Sequence, residues 1–365
     1  MKVLVIITTG LVECGGIANA FMNYYKYIDL SGLTIDVASS GSYDKSMEAI
    51  IRKNGGKCFE VPTKQGNMTG YIRAVNNILK QGYDVIDVHG NSATMLVEMV
   101  LAKQHGIKNR MAHCLNSRTD HPLMHKLMQP FFNTLCNNKT ACTFEAGKHL
   151  YGKRNHEILR NAVPLKQYAF DCEARKEIRK QYNISNRQIL IGTIGKINEQ
   201  KNQAFLLPVI RRLAERYANI TLMIVGDGPL RGELEKSIEQ EGLKDRVILA
   251  GMKDYVVPYY SAFDIYVFPS LFEGESLALI EAKCTGIIGC VSKAIKLSNN
   301  DAVKNIQYID LNTEKWVKTL DEQIQSLDSQ NREKDSREAI WELRRCGLDS
   351  YECAEKLRQL YLKHS

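Results

Sequence analysis

The sequence lacks the features that would place the protein across a membrane or in an oxidising compartment. No apolar run among its 365 residues approaches the ~20 residues that a membrane-spanning helix needs. The chain begins on a strand-like apolar run, Val3 to Ile7, and shows neither the apolar core nor the cleavage site of a signal peptide. Its ten cysteines include no Cys-x-x-Cys pair, and Cys114 and Cys290 lie in strand-like runs. We therefore expect reduced thiols and a cytoplasmic protein.

Motifs for several cofactors are missing as well. The loop from Gly10 to Gly16 contains neither the Gly-x-Gly-x-x-Gly dinucleotide fingerprint nor the Gly-Lys-Ser/Thr of a P-loop. No Asp-x-Asp occurs in the sequence, so a metal-bridged diphosphate would have no anchor. His121 and His125 stand four residues apart on a candidate helix, but no third ligand accompanies them, which argues against zinc. We expect neither a metal nor a cofactor.

Acidic residues are scarce in the first half of the chain. Residues 1–165 contain 19 Lys and Arg against 12 Asp and Glu, a balance of +7, whereas residues 166–365 contain 30 and 29, a balance of +1. A basic first half would suit an anionic lipid surface or an acidic ligand. It would equally suit a soluble surface that happens to be basic, and the sequence leaves both open. Nucleic acid is not expected, because no recognised binding motif is present.

Apolar strands alternate with helical segments in both halves. The strands expected in the first half are 3–7, 33–38, 85–89, 110–114 and 139–143, and those in the second half are 189–195, 222–226, 247–250, 265–268 and 287–292. Such alternation is typical of βαβ units with parallel sheets and helices on both faces. We expect the α/β class, with two Rossmann-like domains facing each other across a cleft.

The repeated pattern also suggests where the domains begin and end. The alternation lapses near Pro164–Cys172, ahead of a charged helix, and a polar stretch at 328–337 ends it again. We expect a first domain over 1–165 and a second over 166–340. Two terminal helices would then lie in 341–365 and return toward the first domain.

The segment from Phe268 to Gly286 carries the clearest chemical signal. Glu273 and Glu281 are separated by seven residues, the first in a loop after an apolar strand and the second about one turn inside a helix that begins at Leu277. Free N–H groups at the helix start then lie between two acids. This arrangement suits a diphosphate flanked by sugar hydroxyls. The alternative is that Glu273 caps the helix and Glu281 is a solvated surface acid.

Three further loops follow strands in the second half. The run from Gly195 to Asn202 contains Lys196 and Lys201 beside a helix start, where lysines can neutralise a diphosphate. Gly226-Asp227-Gly228-Pro229 ends the next strand, and Gly251-Met252 ends the third. Each signal is weak alone, but the carboxyl ends of parallel strands meet at one edge of a sheet.

Together these residues resemble the retaining glycosyltransferases of family 4, which have the GT-B fold, and in particular the EpsF-type enzymes of exopolysaccharide and capsule assembly. The C-terminal part of the resemblance comprises Gly195–Lys201, Val225–Leu230, Pro269-Ser270 and the Glu273/Glu281 pair. The N-terminal part comprises Gly15-Gly16, Arg110–His113, Asp120-His121, Ala141–Thr143, Glu145–Lys148 and Arg160–Val163. It extends over nearly the whole chain.

The resemblance implies a role for each matching residue on the donor side. Glu281 would accept the ribose hydroxyls of a nucleotide-sugar donor, and Glu273 would lie near the donor sugar. Lys201, with Lys196, would hold the diphosphate and stabilise it as it leaves. The helix start at Ser276 and Leu277 would contribute its N–H groups.

Other matching residues would complete the site. Gly16 would let a first-domain loop approach donor or acceptor closely. His113 would lie across the cleft near the donor sugar, as a catalytic residue beside Glu273 and Lys201. The backbone at Gly251 and Met252 would contact the base.

The sequence departs from the family pattern at two positions that bear on chemistry. Lys196 stands where the family usually has Arg, so the charge is kept but the bidentate fork is lost. The run Gly274-Glu275-Ser276-Leu277 replaces the usual Gly-Phe/Leu-Pro-Leu. The extra acid, Glu275, puts the identity of the donor sugar in doubt.

The expected function is retaining, metal-independent transfer of a sugar from a nucleotide diphosphate, with a UDP-sugar favoured. The acceptor would be a glycan or polyprenyl-linked glycan in surface polysaccharide synthesis. In this fold the N-terminal domain usually receives the acceptor, so its basic balance would suit peripheral attachment at the inner face of the cell membrane. Two alternatives stay open: a nucleotide-sugar epimerase of similar fold, and a non-catalytic accessory subunit.

Overall fold

The computed structural model describes residues 1–11, 16–41, 43–117, 119, 121–273, 275–295, 305–327 and 331–363. The chain divides into two compact units. Unit 1 comprises Met1–Val163 and Gly347–Ser365, and unit 2 comprises Pro164–Cys346. The chain therefore crosses between units at 163/164 and 346/347, a few residues from the boundaries expected at 165/166 and 340/341.

Unit 1 is built on one parallel sheet with the strand order β3-β2-β1-β4-β5-β6-β7. Its strands are β1 (Lys2–Ile7), β2 (Thr34–Ser40), β3 (Cys58–Val61), β4 (Val85–Gly90), β5 (Asn109–Cys114), β6 (Asn138–Ala141) and β7 (Glu157–Ile158). The helices between them are α1 (Gly16–Tyr25), α2 (Lys45–Lys53), α3 (Met68–Leu79), α4 (Leu96–Gln104), α5 (Pro122–Leu135) and α6 (Phe144–Tyr151).

The apolar run that opens the chain lies at the centre of unit 1. Successive residues of β1 point to opposite faces of the sheet. Leu4 and Ile6 accordingly join one apolar core, and Val3, Val5 and Ile7 join the other. Helices cover both faces, which explains why the strand is apolar without interruption.

Unit 2 repeats the arrangement with the strand order β10-β9-β8-β11-β12-β13, again all parallel. Its strands are β8 (Ile189–Ile194), β9 (Ile220–Val225), β10 (Val247–Gly251), β11 (Ile265–Phe268), β12 (Ile288–Ser292) and β13 (Ile306–Ile309). Its helices are α7 (Cys172–Gln181), α8 (Leu206–Ala214), α9 (Arg231–Gln240), α10 (Val257–Ala262), α11 (Leu277–Cys284), α12 (Thr313–Gln325) and α13 (Arg332–Arg345). The predicted α/β class with two parallel-sheet domains is confirmed.

Helix α13 belongs to unit 2 because it is bonded to the end of α11. Ser336 Oγ donates to the Cys284 carbonyl at 2.7 Å, and Arg332 Nε donates to the Thr285 carbonyl at 3.0 Å. The close approach requires a glycine at the end of α11, since a Cβ on Gly286 would lie 2.4 Å from the Ser336 nitrogen. Of the two terminal helices expected in 341–365, the first is therefore the end of α13 and belongs to unit 2.

The last helix, α14 (Ser350–Leu362), does belong to unit 1. Asn109 Nδ2, at the start of β5, donates to the Leu360 and Tyr361 carbonyls at 3.0 and 3.1 Å. The Tyr361 hydroxyl donates to Asp87 Oδ2 at 2.8 Å, and both side chains are fully buried. These bonds satisfy carbonyl groups at the end of α14 that have no intrahelical partner.

Among the described residues, none of the helices combines the length and the apolar character that a membrane-spanning segment requires.

The Tyr361–Asp87 contact predicts a stability difference between two tyrosines of the same helix. Tyr361→Phe would leave a buried carboxylate short of a donor, and we expect a loss of about 1–3 kcal/mol in the free energy of unfolding. Tyr351→Phe is the matched control, since Tyr351 is 51 % exposed, and we expect a change within about 0.5 kcal/mol. Urea unfolding monitored by circular dichroism measures both, and equal stabilities would contradict the role given to this contact.

Candidate active site

The candidate site lies where the direction of strand addition reverses in unit 2. Strands β9 and β10 extend the sheet on one side of β8, and β11, β12 and β13 extend it on the other. In open parallel sheets the loops after the two central strands diverge at this point and leave a crevice for ligands. The loops concerned are 195–202 after β8, which contains Lys196 and Lys201, and 269–276 after β11, which contains Glu273. Glu281 follows in α11.

Three hydrogen bonds hold these two loops together. The Leu271 nitrogen donates to the Gln200 carbonyl at 2.8 Å, and Gln200 Nε2 donates to the Phe272 carbonyl at 3.0 Å. Asn202 Nδ2 donates to the Pro269 carbonyl at 3.3 Å. The loops therefore form one surface, although 66 or more residues separate them in sequence.

The loop after β9 packs tightly beneath the β8 loop. A Cβ on Gly226 would lie 2.1 Å from the Gly195 carbonyl oxygen, and the φ of Gly226 is +137°. The Ile197 nitrogen donates to the Asp227 carbonyl at 3.0 Å. Only glycine permits this approach, which gives the Gly226-Asp227-Gly228 run a structural function under the lysine loop.

Lys201 and Glu273 form an ion pair between the two loops. Lys201 Nζ lies 2.8 Å from Glu273 Oε1 and 4.5 Å from the centre of the Phe268 ring. The side chains are 17 % and 9 % exposed, so water screens the pair only in part. Asn198 fixes the turn that carries the lysine, because its Oδ1 accepts from the Lys201 nitrogen at 2.9 Å.

Glu281 lies one turn inside α11 and is held by two tyrosines. The Tyr260 hydroxyl donates to Oε2 at 2.7 Å, and the Tyr168 hydroxyl donates to Oε1 at 3.2 Å. Burial raises the pKa of Glu281 above its ordinary value, although the two hydroxyls and the charge of Lys201 act in the opposite direction. Glu281 is thus no solvated surface acid, which excludes the alternative left open by the sequence.

A third tyrosine lies beside the acids and was not expected from the sequence. Burial raises the pKa of the Tyr266 hydroxyl well above its ordinary value, and the charges of Glu281 and Glu273 raise it further. Tyr266 lies in β11 and Tyr260 in α10, both in fully buried stretches. A buried tyrosine hydroxyl requires a polar partner. The position of Tyr260 and Tyr266 in apolar stretches was the one signal in the sequence that could have pointed to these hydroxyls.

Helix α11 begins directly after the loop that carries Glu273. Ser276 is the N-cap residue, with extended backbone, but its side chain makes no capping hydrogen bond. The N–H groups of the first turn and the positive end of the helix dipole remain suited to an anion. Ser276 and Glu275 are buried, and Leu277 is partly buried.

The remaining donor-side residues lie farther along the same edge of the sheet. Lys196 is exposed, and its carbonyl accepts from Gln203 Nε2 at 3.0 Å. Gly251 ends β10 with a φ of +74°, and the Met252 side chain after it is 53 % exposed. Lys196 lies on the loop that carries Lys201, and Gly251 pairs with Gly226 at the start of the loop after β9.

The structure places two of the expected residues in unit 1. Gly16 is the first residue of α1 and is exposed, with no atom within 4 Å of the position a Cβ would take. His113 in β5 is fully buried; its Nε2 lies 3.1 Å from the Leu159 carbonyl, and its ring lies 5.0 Å from that of His89. Burial lowers the pKa of His113 to about 3, so the ring is neutral.

Some parts of the predicted pattern fall outside the described residues. Gly15, Asp120 and Gly274 are among them. In the part of the chain that is described, no group of three His, Cys, Asp or Glu side chains is arranged to hold a metal ion.

Comparison with known proteins identifies relatives of this chain. A family model described as "Glycosyl transferases group 1" matches residues 174–331, which contain Lys201, Glu273 and Glu281. The putative glycosyltransferase EpsF of Bacillus subtilis (strain 168) is 30% identical over 295 residues, covering 77% of this chain and 77% of its own.

A second relative and a solved structure extend the comparison. The UDP-Gal:alpha-D-GlcNAc-diphosphoundecaprenol alpha-1,3-galactosyltransferase of Escherichia coli is 24% identical over 304 residues, covering 75% of this chain and 78% of its own. The crystal structure of Anabaena HepE with UDP and glucose superposes with a TM-score of 0.79 at 16% identity, covering 98% of each chain. The structural likeness confirms the predicted GT-B fold. The identity to EpsF over most of both chains shows that the protein belongs to the group 1 glycosyltransferase family.

Proposed function

We propose that this glycosyltransferase moves a sugar from a UDP-sugar to a polyprenyl-linked glycan in surface polysaccharide synthesis, with retention of the anomeric configuration. The observation that carries the proposal is the arrangement of Lys201, Glu273 and Glu281 around the start of α11. It offers one cation, two differently held carboxylates and a set of backbone N–H groups at the ligand-binding edge of the sheet.

The diphosphate would lie between Lys201 and the start of α11. A lysine ammonium and the positive end of a helix both favour the negative charge that grows on the diphosphate as the sugar leaves. Lys201 is held in place before the donor arrives, because Glu273 and the Phe268 ring fix its ammonium group. Lys196, exposed on the same loop, would add a second positive charge. With these charges, we propose that the reaction requires no metal ion.

The two acids would bind hydroxyl groups at opposite ends of the donor. Glu281, in α11, would accept the ribose hydroxyls, since a carboxylate oxygen accepts more than one hydrogen bond and each of its oxygens here has one from tyrosine. Glu273, in the loop, would accept from the donor sugar. The backbone at Gly251 and Met252 would contact the base.

The leaving phosphate would take the proton of the acceptor hydroxyl. This step needs no separate base, because the proton moves from the attacking oxygen to the phosphate oxygen released from the same face of the sugar. The fully buried, neutral His113 is given a structural role in unit 1 and no part in the chemistry. Glu275 is buried beside Ser276, and we propose that it lies near the sugar end of the donor and influences donor choice.

The known proteins support the choice of donor and acceptor. HepE was crystallised with UDP and glucose, and the Escherichia coli relative is named for a UDP-Gal donor and a diphosphoundecaprenol acceptor. A polyprenyl-linked acceptor resides in the membrane, so we further propose that the enzyme works at the inner face of the cell membrane. None of the described cysteines forms a disulfide bond.

Transfer from a panel of UDP-sugars to a short-chain polyprenyl diphosphate sugar tests the proposal, with NMR spectroscopy of the new linkage. We expect an axial α linkage from an α-linked donor. In the Lys201→Met variant, turnover should fall by about 10²- to 10³-fold, as when another preorganised charge-stabilising group is removed.

Lys244→Met is the matched control, because Lys244 is an exposed lysine paired with Glu239 at 2.5 Å on another surface. Its turnover should equal that of the wild type. An inverted linkage would contradict retention, and unchanged turnover of Lys201→Met would contradict the diphosphate site. Interconversion of the nucleotide sugar without acceptor would identify an epimerase instead.

The raised pKa of Glu281 leads us to expect that UDP binding depends on pH. As the pH falls through the raised pKa of Glu281, the carboxylate gains a proton and loses acceptor capacity, so UDP affinity should fall at a pH above the ordinary glutamate value of about 4.3. Glu281→Gln should lack this step. Tyr168→Phe removes a bond that lowers the pKa and should move the step to higher pH.

Tyr182→Phe serves as the control, since the Tyr182 hydroxyl pairs with Tyr259 and leaves Glu281 untouched. Isothermal titration of UDP across the pH range measures all four proteins. The Gln variant also removes a partly buried charge and should unfold at a temperature no lower than that of the wild type at pH 7. An identical pH profile in wild type and Glu281→Gln would refute the assignment.

A further inference from the structure

Helix α5 of unit 1 presents large apolar side chains to solvent. Leu123, Leu127 and Phe131 are 79 %, 70 % and 67 % exposed, and they recur every four residues along one side of the helix. Met124, beside them, is 49 % exposed. These four residues are called the apolar face of α5. Contiguous apolar surface of this kind on a protein marks an interaction site more often than chance exposure.

A row of polar side chains lies on the opposite side of α5, toward the interior of unit 1. Residues two positions apart on a helix point about 200° apart, so His125, Gln129 and Asn133 form the row opposite the apolar face. The Ala93 nitrogen donates to His125 Nδ1 at 3.1 Å, and Gln129 Nε2 donates to the His149 carbonyl at 2.9 Å. Asn133 Nδ2 donates to the Leu150 carbonyl at 3.4 Å.

Phe132 of the same helix is fully buried, and Met128 and Leu135 pack against the core of unit 1. Because hydrogen bonds from the inner row hold α5 to the 3-10 turn at 93–95 and to α6, the helix cannot rotate its apolar face inward without losing them. The apolar face is thus a fixed feature of the folded unit. The two helices that contact α5 also carry exposed apolar residues, since Val100 of α4 and Phe144 of α6 are 37 % and 64 % exposed.

The positive charge of the first half is concentrated in the stretch of sequence that contains this helix. Residues 99–156, which contain α5, hold nine Lys and Arg but only two Asp and Glu, whereas the rest of residues 1–165 hold ten of each. The whole excess of +7 therefore lies in this segment. Helix α5 itself contains Lys126 and no acidic residue, and Lys126 and Lys148 of α6 are both exposed.

We propose that the apolar face of α5 docks on an anionic lipid bilayer, with Leu123, Leu127 and Phe131 inserted among the headgroups and the surrounding lysines against anionic lipid. A helix that lies in the plane of a membrane surface combines a large apolar face with flanking basic residues. Lysine stems can also lie along apolar surface while the ammonium group stays at the headgroups.

Charge distinguishes the bilayer from a second copy of the chain. A two-fold dimer would place the same surface of both copies face to face, so the excess of cations would oppose itself. An anionic bilayer instead complements it. This proposal rests on the proposed function, because an enzyme whose acceptor resides in the membrane needs a surface that binds the membrane.

Co-sedimentation with vesicles, in the absence of any substrate, tests the proposal on the full chain. We expect the wild type to bind vesicles that contain phosphatidylglycerol and to bind pure phosphatidylcholine far more weakly. Combined Leu123→Ser, Leu127→Ser and Phe131→Ser should reduce the partition coefficient at least about tenfold. Combined Lys126→Glu and Lys148→Glu should reduce it by about fivefold or more for each positive charge removed.

The control removes exposed apolar side chains elsewhere. Trp341 and Tyr351 are 59 % and 51 % exposed, and Trp341→Ser with Tyr351→Ser should bind vesicles as the wild type does. Circular dichroism confirms that each variant is folded. Equal binding to both vesicle types, or undiminished binding of the triple variant, would overturn the proposal.

Analytical ultracentrifugation addresses the other occupant of this face. A wild-type dimer that the triple variant dissociates would reassign the face to self-association and overturn the bilayer proposal. Vesicle binding and sugar transfer are tested independently, because transfer is measured with a short-chain, water-soluble acceptor and without vesicles. The triple variant should retain that transfer, whereas loss of transfer by the wild type itself would refute the proposed function and leave vesicle binding unaffected.

Discussion

The ion pair between Lys201 and Glu273 determines what the loops of unit 2 can bind. It joins the loops of the two strands between which the sheet reverses its direction of growth. Both side chains are mostly shielded from water, so removing either partner would leave an incompletely solvated charge. The pair therefore fixes the Lys201 ammonium group next to the loop that leads into α11. A site for a diphosphate needs the cation in that position before the ligand arrives.

The second acid is stabilised in a different way, and the difference separates the roles of the two carboxylates. The Lys201 ammonium group lies 2.8 Å from Glu273. Glu281 instead accepts hydrogen bonds from two tyrosine hydroxyls, and the charge of Lys201 acts on it only electrostatically. Burial disfavours the charge of Glu281, and neutral donors offset that cost only in part. The two carboxylates thereby differ in their partners: Glu273 is paired with a cation, and Glu281 is held by neutral hydroxyl donors.

The sequence allowed the architecture and part of the site to be predicted, for a physical reason. Strands buried on both faces are continuously apolar, and the loops after parallel strands share an edge, so Lys201, Glu273 and Glu281 were expected to converge. Short strands such as β3 and β13 were missed because four residues give little periodicity. Tyr168 was missed because it lies 113 residues before the acid it contacts.

Two further residues show where pattern alone cannot decide. His113 lies in a strand with both faces buried, so its position gave no indication of whether the ring would reach a surface. In α5, the rows headed by Leu123 and His125 have the same spacing on opposite sides, and only the structure shows that the polar row faces inward. Sequence periodicity establishes that a helix has two sides, but the neighbouring elements decide which side is covered.

The central claim is that Lys201, held by Glu273, binds the diphosphate of the donor. The most direct measurement is the affinity of UDP relative to uridine, determined by isothermal titration for the wild type and Lys201→Met. Uridine carries the base and ribose without the diphosphate. We expect the wild type to bind UDP much more tightly than uridine. The Lys201→Met variant should lose most of this difference in affinity and bind uridine as the wild type does. A preference for UDP that survives in Lys201→Met, or an equal loss of affinity for both ligands, would contradict the account.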